Sequence, residues 1–272
     1  MPELPEVETT LRGIEPFVRD SKITNVEVRN PSLRWKVPVK ELSKLIGEDV
    51  TKLERRAKYI LIHTDKGTVL LHLGMSGRLR VLDKTIEPLK HDHVDIEFDN
   101  KHIVRLNDPR RFGCCLVLEN PVDSHKLLAS LGPEPLSDQF DGEHLFKASR
   151  KRTVTIKNFI MDGKVVVGVG NIYASEALFL SGIRPTAKVN RISLKRYQKL
   201  AEAIKFVLAK AIKAGGTTLN DFTQVDGNPG YFTQELQVYG RNGEACHLCG
   251  AEIKSKVISQ RNTFFCANCQ SF

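Results

Sequence analysis

Two groups of residues have the types and spacing for chemistry, and they stand at opposite ends of the chain. Met1-Pro2-Glu3-Leu4-Pro5-Glu6-Val7-Glu8 opens it. Removal of Met1, usual before a small second residue, leaves Pro2 presenting a secondary amine. An α-amino group titrates near 7.7–8.0 against about 10.4 for lysine, so a useful fraction is unprotonated and nucleophilic at neutral pH. Secondary amines also form iminium ions readily, and Glu3 stands beside this one as a candidate proton carrier. A plainer reading stays open, since prolines and glutamates are favoured at any acidic helix start. At the other end, sixteen residues separate Cys246-x-x-Cys249 from Cys266-x-x-Cys269. That is the range of a four-cysteine structural zinc site, in which each knuckle gives two thiolates to one tetrahedral ion. Such a closed shell leaves no open coordination position, so the metal stabilises rather than catalyses. A disulfide pair is the alternative, and His247 is expected to be an exposed neighbour of the site.

The elements that must position these groups follow from periodicity. Leu4, Val7, Leu11 and Ile14 recur at helical spacing, so the start is expected as a buried helix with Pro5 in its first turn, which would keep the terminus from fraying. Ile23–Val28, Tyr59–His63, Thr68–Leu73, Leu79–Leu82, His93–Phe98, Ile103–Leu106 and Gly113–Leu118 read as strands, apolar, β-branched or alternating. Their regular spacing suggests an antiparallel sandwich or barrel. The pattern turns helical over Asn120–Ser149, with a break at Gly132-Pro133-Glu134-Pro135 that marks a domain boundary. Helices are expected at Ile156–Met161, at Ile172–Ser181 after Gly168-Val169-Gly170-Asn171, and from a Ser193 cap to Gly215-Gly216. The Gly-rich stretch Thr217–Gly243 reads as a loop of the length that closes over ligands. Between the cysteine knuckles, Val257, Ile258, Phe264 and Phe265 suggest a β-hairpin with Arg261 on its tip, a suitable place to reach a phosphate.

Polar and basic residues gather in the connections of the strand region. Arg55, Arg56 and Lys58 precede one strand. His72, Met75, Arg78 and Arg80 surround the Gly74-Met75-Ser76-Gly77 turn, His91 and His93 precede another strand, and Asp108-Pro109-Arg110-Arg111-Phe112-Gly113 forms a third turn. Solvated loop charge accounts for any single one of these. Met75 and Phe112 fit that account poorly, because apolar side chains at Gly-flanked turns gain little from water, whereas inserting them into a base stack is a known use.

Composition agrees with a polyanionic partner. The net charge is +9 with a pI near 9.2, an attraction for nucleic acid that precedes any specific contact. At 272 residues, 41% hydrophobic and 27% charged, the chain can bury a sizeable core. No apolar run approaches the roughly 20 residues of a membrane span, and the acidic start does not suit a signal peptide, so a cytoplasmic protein is expected. Cys114 and Cys115, neighbours in an apolar run, are expected to be core thiols.

With these pieces assembled, the chain resembles the bacterial formamidopyrimidine-DNA glycosylases, the Fpg or MutM family of base-excision repair. The likeness runs from Pro2 to Gln270. It rests on Pro-Glu-Leu-Pro-Glu-Val-Glu, Arg55-Arg56-Ala57-Lys58-Tyr59, His72-Leu73-Gly74-Met75-Ser76-Gly77, Lys90-His91-Asp92-His93, Asp108 to Gly113, Gly168-Val169-Gly170-Asn171-Ile172-Tyr173 and the cysteine knuckles. The resemblance implies an α+β fold: an N-terminal β-sandwich with flanking helices (1–132), a helix-two-turn-helix domain (133–236) and a zinc-finger β-hairpin (237–272), with damaged double-stranded DNA held between the lobes. It implies one structural Zn2+, no membrane, no obligate protein partner and a monomer. It implies Pro2 as the nucleophile at the sugar C1′, Glu3 as proton donor and acceptor supported by Glu6, Lys58 serving β-elimination, and Arg261 serving δ-elimination while holding a phosphate. His91, Arg110 and Arg152 match DNA contacts, and Lys157 and Asn171 phosphate contacts. Met75, Arg110 and Phe112 match the side chains that fill the gap left by an everted base, and Thr217–Tyr239 the loop that covers that base. The implied activity is a bifunctional glycosylase and AP lyase for oxidised purines such as 8-oxoguanine and formamidopyrimidines. Two alternatives remain: the sister endonuclease VIII type for oxidised pyrimidines, against which Leu4 and the complete wedge set argue, and a zinc-finger DNA-binding protein without chemistry, which retention of Met1 would make real.

Overall fold

The computed structural model describes residues 2–216 and 236–271, which fall into two compact units. The first contains everything up to Ala129 together with 214–216. It opens with helix α1 (Leu4–Val18), whose first turn holds Pro5 and whose Leu4, Val7, Leu11, Ile14 and Val18 are buried, as the spacing predicts. Eight strands follow: β1 (Ile23–Val28), then after a short helix α2 (Val39–Ser43), β2 (Lys52–Arg56), β3 (Tyr59–Thr64), β4 (Gly67–His72), β5 (Arg78–Asp83), β6 (Asp92–Phe98), β7 (His102–Asn107) and β8 (Cys114–Leu118). They form two antiparallel four-stranded sheets, ordered β1-β6-β7-β5 and β2-β3-β4-β8. One apolar cluster joins Ile60, Ile62, Val69 and Leu71 of one sheet to Val94, Ile96, Phe98, Val104 and Leu106 of the other, and Val7, Leu11, Ile14 and Val18 of α1 belong to the same cluster. The architecture is therefore a sandwich. Cys115 lies in this core, and burial pushes the neighbouring Cys114 thiol up to about 12, so both are packing groups.

Two expectations needed correction. Lys52-Leu-Glu-Arg-Arg56 carries too much charge to read as a strand. It forms one because it lies at a sheet edge and buries only Leu53, where charged outward side chains are favoured. The helical reading of Asn120–Ser149 holds only for its end. Prolines 121, 133 and 135 and Gly132 leave a single 3-10 turn at Val122–Ser124 and then turns. Helix α3 (Gly142–Ser149) starts only where the Asp141 carboxylate accepts the His144 N–H at 2.7 Å, a standard cap.

The second unit holds 130–213 and 236–271. Besides α3 it contains α4 (Ile156–Ile160), α5 (Asn171–Leu180), α6 (Leu194–Lys213) and the hairpin β9 (Ile253–Ile258) and β10 (Arg261–Cys266). Helix α6 buries Tyr197, Leu200, Ala201, Ile204, Leu208 and Ala211 against α3 and α5. It ends at Gly215 and Gly216, both in the left-handed region, as glycines do past a helix end. The hairpin turns through Ser259 and Gln260, with φ of 46° and 63°, a two-residue turn of the primed type. Among the described residues, no helix is long and apolar enough to cross a membrane. The loop expected over Thr217–Tyr239 lies, up to 235, outside the described residues.

Candidate active site and metal centre

Pro2 and Glu3 immediately precede α1 and are both buried. Glu3 is the N-cap residue of a reciprocal capping box: its side chain accepts the Glu6 backbone N–H, and the Glu6 carboxylate accepts the Glu3 N–H at 2.8 Å. This arrangement satisfies two orphan donors and fixes the entry to the helix. A Glu8–Arg55 ion pair at 2.8 Å then joins α1 to the end of β2. Burial alone would raise the Glu8 carboxyl, but hydrogen bonds from Arg55 and Arg12 hold it below its ordinary value. Arg55 also donates to the Ala57 carbonyl at 3.0 Å. Ala57 is left-handed, with φ of 55°, and with Lys58 it makes the two-residue β2–β3 turn. Helix α1 and the Lys58 turn are thus tied through Arg55, by one ion pair and one hydrogen bond. His72, opposite Tyr59 at 5.1 Å between rings, is depressed to about 4 by burial and then by the charges of Lys58 and Arg34. Its bare Nδ1 accepts the Gly74 N–H at 2.9 Å.

The turns carrying Met75 and Phe112 are built on one another. Gly74 has φ of +62°, and a Cβ there would lie 2.4 Å from the Phe112 carbonyl carbon and the Gly113 nitrogen, so only glycine permits the approach. Asp108, fully buried, organises both turns. One of its oxygens accepts the Ser76 hydroxyl at 2.8 Å, the other the Gly113 N–H at 2.7 Å. Ser76 Oγ in turn accepts the Arg110 N–H at 3.2 Å, and the Asp108 carbonyl accepts from His93 Nε2 at 2.9 Å. On this frame Phe112 is 45% exposed, with the Arg110 guanidinium 4.9 Å from its ring centroid, and Met75 is half-buried. The three expected wedge residues therefore share one surface.

His91 occupies a left-handed position, φ 74°, at the end of a loop held by a buried ionic network that sequence reasoning missed. Arg105, 2% exposed, pairs with Asp95 at 2.7 and 2.9 Å and donates to the Ile86 and Glu87 carbonyls. Asp92 accepts from Arg80 twice, from Asn107 and from the Leu89 N–H. Asn107 also donates to the Lys90 carbonyl, so these charges position the residue beside His91. The available signal was the placement of Asp95 and Arg105 on expected strands where only apolar alternation was sought.

In the second unit, Arg261 is exposed beside the hairpin tip. The adjacent Asn262 carbonyl accepts from Asn171 Nδ2 at 3.0 Å and from Lys157 Nζ at 3.4 Å, and Asn158 donates to Ser259 at 2.6 Å. Asn171 is the first residue of α5 and Lys157 belongs to α4, so both helix starts converge on the base of Arg261. Lys157, expected as a phosphate contact, is 1% exposed, and its ammonium donates to the Asn262 carbonyl and to Thr263 Oγ1 at 2.5 Å, so it also supports the hairpin. Arg152 is partly exposed and bonds Asp162 at 3.0 Å. Glu176, which sequence reasoning also missed, is buried and accepts the N–H groups of Gln237, Val238 and Tyr239, anchoring the chain ahead of the cysteines.

The four cysteine sulfurs lie within 4.8 Å of one another, with Cys246–Cys269 at 3.9 Å and Cys249–Cys266 at 3.5 Å. Tetrahedral zinc with Zn–S bonds of about 2.3 Å sets its sulfurs about 3.8 Å apart, so the four thiols fit one structural zinc ion. His247 is exposed and contacts Arg241 at 3.2 Å. Phe179, Val238, Ile253 and Phe264 pack around Cys246 and Cys266, joining the zinc knuckles to α5.

The family model of the formamidopyrimidine-DNA glycosylase N-terminal domain matches residues 1–115, that of the formamidopyrimidine-DNA glycosylase H2TH domain 131–223, and that of the zinc finger found in FPG and IleRS 243–271. The chain is 56% identical to the formamidopyrimidine-DNA glycosylase of Alteromonas mediterranea over 271 residues, 99% of this chain and all of that one. Among solved structures it is similar to wild-type Lactococcus lactis Fpg (MutM) in complex with DNA containing N7-benzyl-Fapy-dG, at 34% identity and a TM-score of 0.92 over all of both chains. It is also similar to the MutM (Fpg) protein of Thermus thermophilus, at 34% identity and a TM-score of 0.88 over 99% of this chain and 98% of that one. With the sandwich, the interlocked Met75 and Phe112 turns and the four-cysteine hairpin, these likenesses place the chain in the formamidopyrimidine-DNA glycosylase family.

Proposed function

We propose that this DNA glycosylase of base-excision repair is bifunctional, excising oxidised purines from duplex DNA through the Pro2 amine and then cleaving the strand by β,δ-elimination. The observation that carries the reading is the buried start of α1, where the Glu3–Glu6 capping box holds Pro2 and a carboxylate at one fixed point. Once Met1 is removed, the Pro2 nitrogen attacks C1′ and the bond from C1′ to the base breaks. The departing base takes a proton. The sugar ring opens as Glu3 protonates the ring oxygen, and the nitrogen and C1′ become an iminium. That cation acidifies the neighbouring C2′–H, so the proton passes to water and the C3′–O bond breaks, with the Lys58 ammonium serving this β-elimination as a cation for the departing phosphate. A second elimination loses the C4′ proton to water and breaks the C5′–O bond while Arg261 holds the departing phosphate, and water then hydrolyses the iminium and releases Pro2. The base must first leave the stack, at a cost of a few kcal/mol that a damaged pair lessens, and Met75, Arg110 and Phe112 fill the gap.

The oxidised-purine assignment is supported by the Fapy-dG analogue in the DNA held by the Lactococcus lactis relative. We place the functional modules at 1–132, 133–236 and 237–272, with His91, Arg110, Arg152 and Asn171 on the DNA, in a monomer working in the bacterial cytoplasm. Borohydride trapping on an 8-oxoguanine:cytosine duplex, with peptide mass spectrometry, tests the chemistry. A cross-link at Pro2 supports it. DNA binding without a cross-link, with Met1 absent, refutes it, and faster cleavage of thymine glycol than of 8-oxoguanine refutes the substrate class.

A further inference from the structure

The surface carrying the wedge turns extends into a loop that the mechanism above does not use. Between β1 and α2, residues 30–37 fold into a tight loop. Ser32 N–H is accepted by the Asn30 side chain at 2.9 Å, Val37 N–H by the Pro31 carbonyl at 2.9 Å, and Ser32 bridges Lys36. Leu33 and Val37 are buried in the sandwich core, so the base of the loop is fixed while Arg34, Trp35 and Lys36 face outward. The Arg34 N–H donates to the Gly113 carbonyl at 3.1 Å, which joins this tip to the turn bearing Arg110 and Phe112. The Arg34 charge, with that of Lys58, also reaches His72, so the tip and the β2–β3 turn lie within electrostatic range of one imidazole.

The charge on this tip is uncompensated. Among the described residues, no carboxylate forms an ion pair with Arg34 or Lys36, whereas Arg29, Arg80 and Arg105 of the same unit each hold an aspartate. The Arg34 guanidinium instead lies 4.8 Å from the Trp35 ring centroid, a stack that restrains the fork without neutralising it. Trp35 remains 37% exposed, at a site where a large aromatic gains little from water. Two unpaired cations around a half-exposed aromatic, anchored by backbone to the wedge turn, match the repeating phosphates and sugars of a nucleic-acid backbone.

We propose that the Arg34-Trp35-Lys36 tip is a further DNA-backbone contact, in which Arg34 and Lys36 each neutralise one phosphate and Trp35 packs against the sugar between them. The contact is independent of the lesion and rests on the reading that this surface binds duplex DNA.

Trp35 is the only tryptophan in the chain, so the tip carries its own reporter. The probe is a duplex holding an uncleavable tetrahydrofuran abasic analogue, titrated into the full-length zinc-loaded protein. On saturation, acrylamide quenching of Trp35 is expected to fall. In R34Q/K36Q, whose altered side chains are exposed, the plot of log affinity against log salt is expected to lose about 2 from its slope, at roughly 0.9 per phosphate. Single-turnover cleavage of saturated 8-oxoguanine duplex stays at the wild-type rate. Equal slopes for variant and wild type, or an indole as open to acrylamide in the complex as in the free protein, overturn the proposal. Wild-type borohydride trapping run alongside separates this failure from failure of the glycosylase reading, because trapping at Pro2 does not depend on the tip.

Discussion

Removing the Asp108 side chain should collapse the surface on which Met75, Arg110 and Phe112 stand. Its carboxylate accepts the Ser76 hydroxyl and the Gly113 N–H, and no water reaches it. In Asp108→Ala both donors are stranded, at about 1–3 kcal/mol each, so unit 1 should lose about 2–6 kcal/mol. At roughly 3–4 °C per kcal/mol for a domain of this size, the middle of that range is a Tm drop of roughly 12–16 °C. Asp108→Asn keeps the shape, with its oxygen towards Gly113 and its amide towards Ser76 Oγ. It loses charge assistance and the acceptor for the Ser76 hydroxyl, so its loss should be about half as large. The assays are differential scanning calorimetry, following the transition of unit 1, and binding of an 8-oxoguanine duplex well below Tm. Binding should weaken more than borohydride trapping on a preformed abasic site, because Pro2 is held by the Glu3–Glu6 capping box and not by Asp108. An alanine variant melting within about 2 °C of wild type, well under the roughly 6–8 °C that the lower bound of 2 kcal/mol would give, would refute the reasoning. So would an asparagine variant as damaged as the alanine one, since geometry would then count for nothing.

Gly74→Ala should be comparably harmful, because its Cβ would lie 2.4 Å from the backbone of Phe112 and Gly113 at φ +62°. Left-handed strain of about 1–2 kcal/mol and overpacking of about 1–3 kcal/mol should appear in the Tm and in lesion binding together, and a wild-type Tm would count against the close approach. Burial would raise the Asp95 carboxyl, but Arg29 and Arg105 hold it below the ordinary range. A carboxylate depressed in the folded state gives stability that is present above its unfolded pKa, near 3.9, and lost as pH falls through the folded value. Asp95→Asn should therefore flatten the fall of the urea midpoint below about pH 4, and an unchanged fall would remove Asp95 from the acid response. Arg261→Ala should leave base release near wild type while the β-elimination product accumulates on sequencing gels, whereas equal loss at every step would make Arg261 a folding residue.

The parts of this molecule legible in its sequence are those whose cause is local. Helix α1, the apolar strands and the cysteine knuckles each carry their own periodicity or spacing, and the glycines of the wedge turns mark positions that need a missing Cβ. What escaped depends on partners far along the chain. Asp95 and Arg105 face each other only in the β6–β7 register, and Glu176 meets three N–H groups more than sixty residues away. Strand β2 was hidden because an edge strand with one buried residue has almost no apolar signal. The hairpin contacts of Lys157 were hidden for the same reason, because nothing in its sequence neighbours reveals that Asn262 and Thr263 accept from its ammonium.

The same distinction governs the charge. A net +9 measures long-range attraction, yet the structure divides the cations by what they face. Arg29, Arg80 and Arg105 are held by aspartates of the sandwich, and Arg150 donates to the carbonyls of Val189, Asn190 and Ile192. These contacts hold strands and loops in place. Arg34, Lys36, Arg110 and Arg111 are exposed, and none of them pairs with a carboxylate among the described residues. All four lie on turns joined through Gly113 and the buried Asp108. Counterion release depends on phosphates neutralised, so on the proposed DNA contact the exposed cations of this second group contribute to affinity and its salt dependence. The first group determines whether the second is held in place. One buried carboxylate, Asp108, thereby sets the geometry of the cations as well as the wedges, because it fixes the backbone from which both project.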